Sequence, residues 1–312
     1  MILIRGRLAL KHTTLSTAAS WGIVSVLIWS ACWAADGVLT TIGEGLADRL
    51  WYATAVLALC PAMSVLGARR PTTRVWQWFV VLPMILVLAS PLAVSWRELN
   101  DPSRLQLETP VLVGFGLVLV MSAGNYVGTR FTLSAVLFTI AVAMLVATLA
   151  EAVPDQLVQP YRLRLWATVL LSAAILIGCQ SARTRSRRTS AGTMKQGAFE
   201  CRIEGADRLW TDFRNTFGIV WARRIQDRIN SVATKEVWHS RLESQGFVWH
   251  DTEVSPNGGA SSEGHSASDG RIEQAAGRIE HTLRWLLRRF CDPAWIDERL
   301  GTAIKVPDEY VN

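Results

Sequence analysis

The chain has 312 residues, of which 50% are hydrophobic and only 19% charged, with 14 Trp. That balance excludes an ordinary soluble globular protein and an intrinsically disordered one, and it points to a membrane protein. The formal charge of +6 does not by itself indicate a nucleic-acid partner, because residues 1–182 hold 12 basic and 8 acidic side chains and residues 183–312 hold 20 and 18, which leaves the second part only +2.

Apolar runs free of charge cover Thr13–Ala35, Leu50–Ala68, Val75–Trp96, Thr109–Thr129, Phe131–Ala150 and Leu165–Ala182. Each matches the ~17–25 residues that cross a bilayer core. A charge at a helix centre costs roughly 2.5–3.5 kcal/mol on insertion, so repeated charge-free windows mark membrane helices. The expected fold class is therefore all-α, with six transmembrane helices at about 13–35, 50–68, 75–96, 109–127, 130–150 and 165–182.

The first run follows Arg5, Arg7 and Lys11 and ends in "SACWAADG", which has the outline of a signal peptide. Trp33 inside the small-residue segment and Trp29 in "WSAC" spoil the cleavage and lipoprotein patterns, so this segment reads as an uncleaved anchor. Asp48 and Arg49 precede the second run and read as an end-of-helix cap, with a ligand contact as the alternative. Pro61, Pro83 and Pro91 in the second and third runs, and Gln77 near the end of the third, are the other irregularities; no window has an acid or base at its middle, which argues against an ion-coupled carrier.

Between the fourth and fifth runs lies "MSAGNYVGTR", Met121–Arg130, with no separate loop. Residues 109–150 make about 63 Å of helix, barely two crossings of a ~30 Å core plus a bend, so part of this stretch has to turn. Gly124 and Asn125 accept turn dihedrals, and Arg130 suits inner headgroups. The alternative is a GxxxG packing face at Gly124 and Gly128, with Asn125 and Tyr126 offering polar atoms to a ligand.

Basic residues fix the orientation, since cytoplasmic connections retain them. One side carries Arg5, Arg7, Lys11, Arg69, Arg70, Arg74, Arg130, Arg183, Arg185, Arg187, Arg188 and Lys195; the other carries Arg49, Arg97, Arg104, Arg162 and Arg164, together with all eight acids that precede residue 183. Both termini are expected in the cytoplasm of a bacterial inner membrane. The cluster Arg183, Arg185, Arg187 and Arg188 opens a basic linker, 183–198, placed at lipid headgroups, where each basic residue gains about 1 kcal/mol.

Trp33, Trp51, Tyr52, Trp96, Tyr161 and Trp166 gather at the outer ends and Trp76 and Trp78 at the inner ones, the pattern of interfacial aromatic belts. Tryptophan-rich six-helix proteins include haem-handling families, but all five histidines here, His12, His239, His250, His265 and His281, fall on the cytoplasmic side and leave no outer axial ligand. The five cysteines are scattered, and no metal site, cofactor or catalytic motif is expected.

A small helical cytoplasmic domain is expected over 199–312. One long helix carries Leu209, Phe213, Phe217, Trp221, Ile225 and Ile229 at a spacing of four. Such a stripe drifts about 40° per step against 3.6 residues per turn and winds round its helix, so it is expected to meet a protein partner or a second copy as well as its own domain. Residues 251–270, "DTEVSPNGGASSEGHSASDG", are expected to be a disordered loop. A second helix spans about 273–300, with a restart capped by Asp292 and Pro293.

The stretches "ADRLWYATAVLALCP", "MSAGNYVGTRFTL" and "DFRNTFGIVWARRIQDRIN" resemble those of uncharacterised integral membrane proteins of planctomycete-type bacteria. That resemblance implies a bacterial inner membrane and a bundle coupled to its tail, and no activity. The functional expectation is a scaffold or assembly partner in a membrane complex, contacting lipid and protein but no nucleic acid; the alternative is a permease-like subunit for an uncharged or lipophilic solute.

Overall fold

A computed structural model describes residues 10, 12–42, 44–68, 74–92, 105–150, 159–189, 198–249 and 263–301. The chain is mostly helical and divides into two compact units, Met1–Arg188 and Thr189–Asn312.

The first unit comprises α1 (Ser16–Ile42), α2 (Glu44–Leu66), α3 (Arg74–Leu88), α4 (Thr109–Gly124), α5 (Thr132–Ala147) and α6 (Pro160–Thr189). Among the described residues three stretches, Ser16–Gly37, Gly45–Leu66 and Pro160–Ala182, are long and apolar enough to cross a membrane; α4 and α5 are shorter apolar helices. At 1.5 Å per residue each of these two spans about 24 Å, short of a ~30 Å hydrocarbon core.

The long helices overrun the apolar windows at their charged ends. Asp36 lies within α1, Asp48 and Arg49 within α2, and Arg162 and Arg164 within α6. Asp48 and Arg49 are thus no end cap: α2 begins at Glu44, and both are buried. The linker expected from 183 is likewise helical as far as Thr189. Arginine is a good helix former, and the first glycine after Gly178 is Gly192, so nothing stops the helix where the charge begins.

Pro61 sits inside α2, where it cannot donate to the Leu57 carbonyl. The Ser25 hydroxyl of α1 fills that vacancy, donating to Leu57 O at 2.7 Å. The proline thereby becomes a helix-to-helix contact. Ser90 and Tyr52 do similar service near Pro91, donating to the Val87 carbonyl at 2.8 Å and to the Leu88 carbonyl. On α6, Gly178 leaves room for α5: a Cβ there would stand 3.1 Å from Ser134 Oγ, and the Ser134 hydroxyl donates to the Ala174 carbonyl at 2.7 Å. The core gathers Trp29, Trp51, Tyr52, Phe115 and Leu145.

The second unit comprises α7 (Ala198–Phe217), α8 (Ile219–Glu236), a hairpin of β1 (Ser240–Leu242) and β2 (Phe247–Trp249), α9 (Glu263–Leu287) and α10 (Pro293–Leu300). The strands are antiparallel, with Arg241 opposite Val248. The helix expected to be continuous from Leu209 to Ile229 is two helices, because Gly218 at φ 83° breaks it in a conformation that side-chain-bearing residues avoid. The hairpin was not expected. It is held by one face of α7: Asp207 Oδ1 accepts the Phe247 N–H at 2.7 Å, the Trp210 indole donates to Glu243 O at 2.9 Å, and Arg214 donates to Ser244 O at 2.7 Å.

The loop expected to be disordered is partly helical. Residues 251–262 lie outside the described set, but α9 starts at Glu263 and takes in 263–270. With no proline between Pro256 and Pro293, the helix packed further on at Ala276, Ile279 and Leu283 can extend backwards through weak helix formers.

Candidate functional site

Three helices bring charged and aromatic side chains to one end of the first unit, and each contributes one face. Trp29, Trp33 and Asp36 are spaced four and three apart on α1; Asp48 and Trp51 are three apart on α2; Tyr161, Arg164 and Thr168 are three and four apart on α6. Residues at those spacings share a helix surface, so three such surfaces can close on one another.

Arg164 is the centre, with its side chain only 7% exposed. Its Nη2 donates to Asp48 Oδ1 at 2.6 Å, and its Nη1 stands 3.5 Å from Asp36 Oδ1. The Trp51 indole donates to that same Asp36 oxygen at 3.0 Å, and the guanidinium carbon lies 5.4 Å from the Trp51 ring centroid. The Arg164 Nε is buried without a hydrogen-bond partner. A guanidinium in so dry a place requires opposite charge close by, because an unpaired buried charge is costly.

The aromatic wall is tied to the same helix turn. The Thr168 hydroxyl accepts both the Trp29 indole at 2.9 Å and the Trp33 indole at 2.6 Å, and donates to the Arg164 carbonyl at 2.8 Å. Trp51 packs edge-on against Trp29 and Trp33, with centroids 5.9 and 5.5 Å apart, and Trp33 against Tyr161 at 5.8 Å. Of these indoles, Trp33 and Trp51 had read as part of an interfacial belt; with Trp29 they work as hydrogen-bond donors within the cluster.

Chemically, the cluster can hold α1, α2 and α6 in one arrangement. Among the described residues no group of three His, Cys, Asp or Glu side chains could hold a metal ion. Sequence reasoning placed Asp36, Asp48 and Arg164 in connections and left them unlinked; the signal it passed over was the shared-face spacing of a charge with aromatics on all three helices.

The stretch Met121–Arg130 turns. Gly124 ends α4, residues 125–131 form turns, and α5 begins at Thr132. The left-handed position is Gly128, at φ 70°, whereas Asn125 is right-handed at φ −63°. A Cβ at Gly124 would meet nothing within 4 Å, so this glycine makes no close helix contact. Asn125 is buried, and the Tyr126 carbonyl accepts the Thr129 and Thr132 hydroxyls at 2.7 and 2.8 Å. The Arg130 guanidinium lies over the Phe131 ring, 4.8 Å from its centroid. Arg183, Arg185, Arg187 and Arg188 continue α6, and their side chains lie outside the described set.

The stripe expected to dock a partner is covered by its own unit. Leu209, Phe213, Phe217, Trp221, Ile225 and Ile229 are all buried. Phe290 is their hub, with ring centroids 5.3, 5.5 and 5.1 Å from Phe213, Phe217 and Trp221. The break at Gly218 redirects the stripe round this ring, which explains how a winding spacing of four can serve one core.

A concavity of about 640 Å³ in the same unit is lined by Asp227, Asn230, Thr234, Trp238, His239 and Ser240. Val237 and His239 both adopt φ 52° beside it, and the Ser240 hydroxyl is buried without a partner. The Asn230 amide is spent on Leu242, accepting its N–H at 2.8 Å and donating to its carbonyl at 3.0 Å.

No family model matches the chain, and neither a curated protein nor a solved structure does.

Proposed function

We propose that this chain is a multi-pass protein of a bacterial inner membrane, with six crossings and both termini in the cytoplasm, and that it acts as a scaffold or assembly partner that holds its helical domain at the inner face. The observation that carries this reading is the Arg164 cluster: buried Arg164 pairs with Asp48 and stands beside Asp36 at one end of the unit, which ties three helices together. A transporter needs its helices to rearrange around a polar site near the bilayer midplane. A bundle pinned by a buried charge pair is suited to hold its shape.

The docking surface for a partner is not the aromatic stripe, since that closes the domain's own core. The test is native electrophoresis of complexes extracted from the protein's own membrane, with and without residues 198–301. A scaffold migrates well above its own mass and loses more than the domain's mass on truncation. Migration as a single chain whose melting point rises with a lipophilic solute would overturn this reading in favour of a permease-like subunit.

A further inference from the structure

The outer face of α9 and the turn after it carries Arg278, His281, Trp285, Arg288 and Arg289, all exposed. Their spacings of three and four put them on one surface, opposite the buried Ala276, Ile279, Leu283, Leu286 and Leu287. Trp285 is 38% exposed and lies between two cations, with Arg288 and Arg289 guanidinium carbons 5.9 and 5.4 Å from its ring.

Three other arginines of the unit pair with acids. Arg284 pairs with Glu280 and Asp297, Arg299 with Asp212 and Glu298, and Arg223 with Asp227. Arg278, Arg288 and Arg289 have no carboxylate partner among the described residues, and from Gln274 to Arg289 this face exposes no acid. The exposed face of α8, by contrast, mixes Arg223, Arg224 and Arg228 with Asp227 and Glu236.

We propose that this face docks on the anionic headgroups of a lipid bilayer, with Trp285 entering the interface and Arg278, Arg288 and Arg289 on the phosphates. Two arguments choose lipid over another polyanion. A tryptophan framed by arginines suits the boundary between headgroups and acyl chains, where its ring buries and its polar edge stays wet. The unit also stays close to a bilayer: only residues 190–197 separate α6 from α7, and at 3.3–3.6 Å per residue they reach at most about 29 Å. The inference rests on the membrane reading of the first unit.

The test is hydroxyl-radical footprinting of the full chain in nanodiscs of phosphatidylcholine, with or without phosphatidylglycerol. Trp285 oxidation is expected to fall several-fold in the anionic discs and to recover in high salt. The difference is expected to vanish in Arg288→Glu/Arg289→Glu while buried Trp295 stays protected. Should that variant expose Trp295, Arg288→Gln/Arg289→Gln serves the same comparison. Equal Trp285 oxidation in both lipids overturns the proposal, as does protection that ignores lipid charge and salt, which would mark a protein contact, or protection that appears only with added oligonucleotide. Failure of the chain to enter nanodiscs at all would instead overturn the membrane reading.

Discussion

The Arg164 guanidinium meets the Asp48 carboxylate at 2.6 Å, joining residues 116 positions apart in the chain. Removing one partner of a buried pair strands the other, at about 3–5 kcal/mol. Arg164→Met is therefore expected to lower the melting temperature of the detergent-solubilised chain sharply. The double variant Asp48→Asn/Arg164→Met should be less destabilised than the sum of its single variants. Strictly additive losses would show that the two groups do not act on each other.

The first helix is part of the same arrangement, because the Trp29 and Trp33 indoles share the Thr168 hydroxyl. Cleavage as a signal peptide would remove both donors and the two rings that pack against Trp51 and Tyr161. Intact-mass spectrometry of the purified protein is expected to find this segment retained. A mass lacking everything up to Ala35 would contradict the anchor.

In the second unit, Phe217 lies between Phe213 and Phe290, with ring centroids 4.8 and 5.5 Å away. Phe217→Asp buries an unpaired carboxylate, a cost of several kcal/mol. The unit should unfold while the first unit persists, seen as rapid proteolysis beyond Thr189. A variant that keeps protease resistance would mean that the stripe is not core.

These three positions also mark how far the sequence could be read. Long apolar windows revealed the three long helices because hydrophobicity is summed over many residues. The Arg164 cluster escaped because its members come from three distant segments, and pairing across 116 positions leaves no local periodicity. The stripe's apolar spacing was plain, but its fate turned on Gly218: a single glycine inside a helical pattern says little until its φ of 83° is known. The hairpin was hidden for a related reason, since strands of three residues held by α7 side chains are too short for alternation to register.

Asp207 gives the second unit an acid-range dependence. Burial raises its carboxyl above the ordinary 3.8, opposed by the Phe247 N–H that it accepts and assisted by Glu204. A carboxyl whose folded value is raised favours the fold below its unfolded value and loses that contribution as pH climbs through the folded one. Stability should therefore decline as pH rises through the interval just above 3.8. Asp207→Asn keeps an acceptor for Phe247 and cannot titrate, so its melting temperature should lack this decline. Identical profiles for the two proteins would remove Asp207 as the cause.

The topology of the first unit is the claim on which the rest depends, and paired reporter fusions test it most directly. Fusions after Arg70, Arg130 and Arg188 are expected to be active as cytoplasmic reporters, and those after Glu44, Asp101 and Asp155 as periplasmic ones. A periplasmic signal after Arg188 would contradict the six-crossing arrangement and place the helical domain on the wrong side of the membrane.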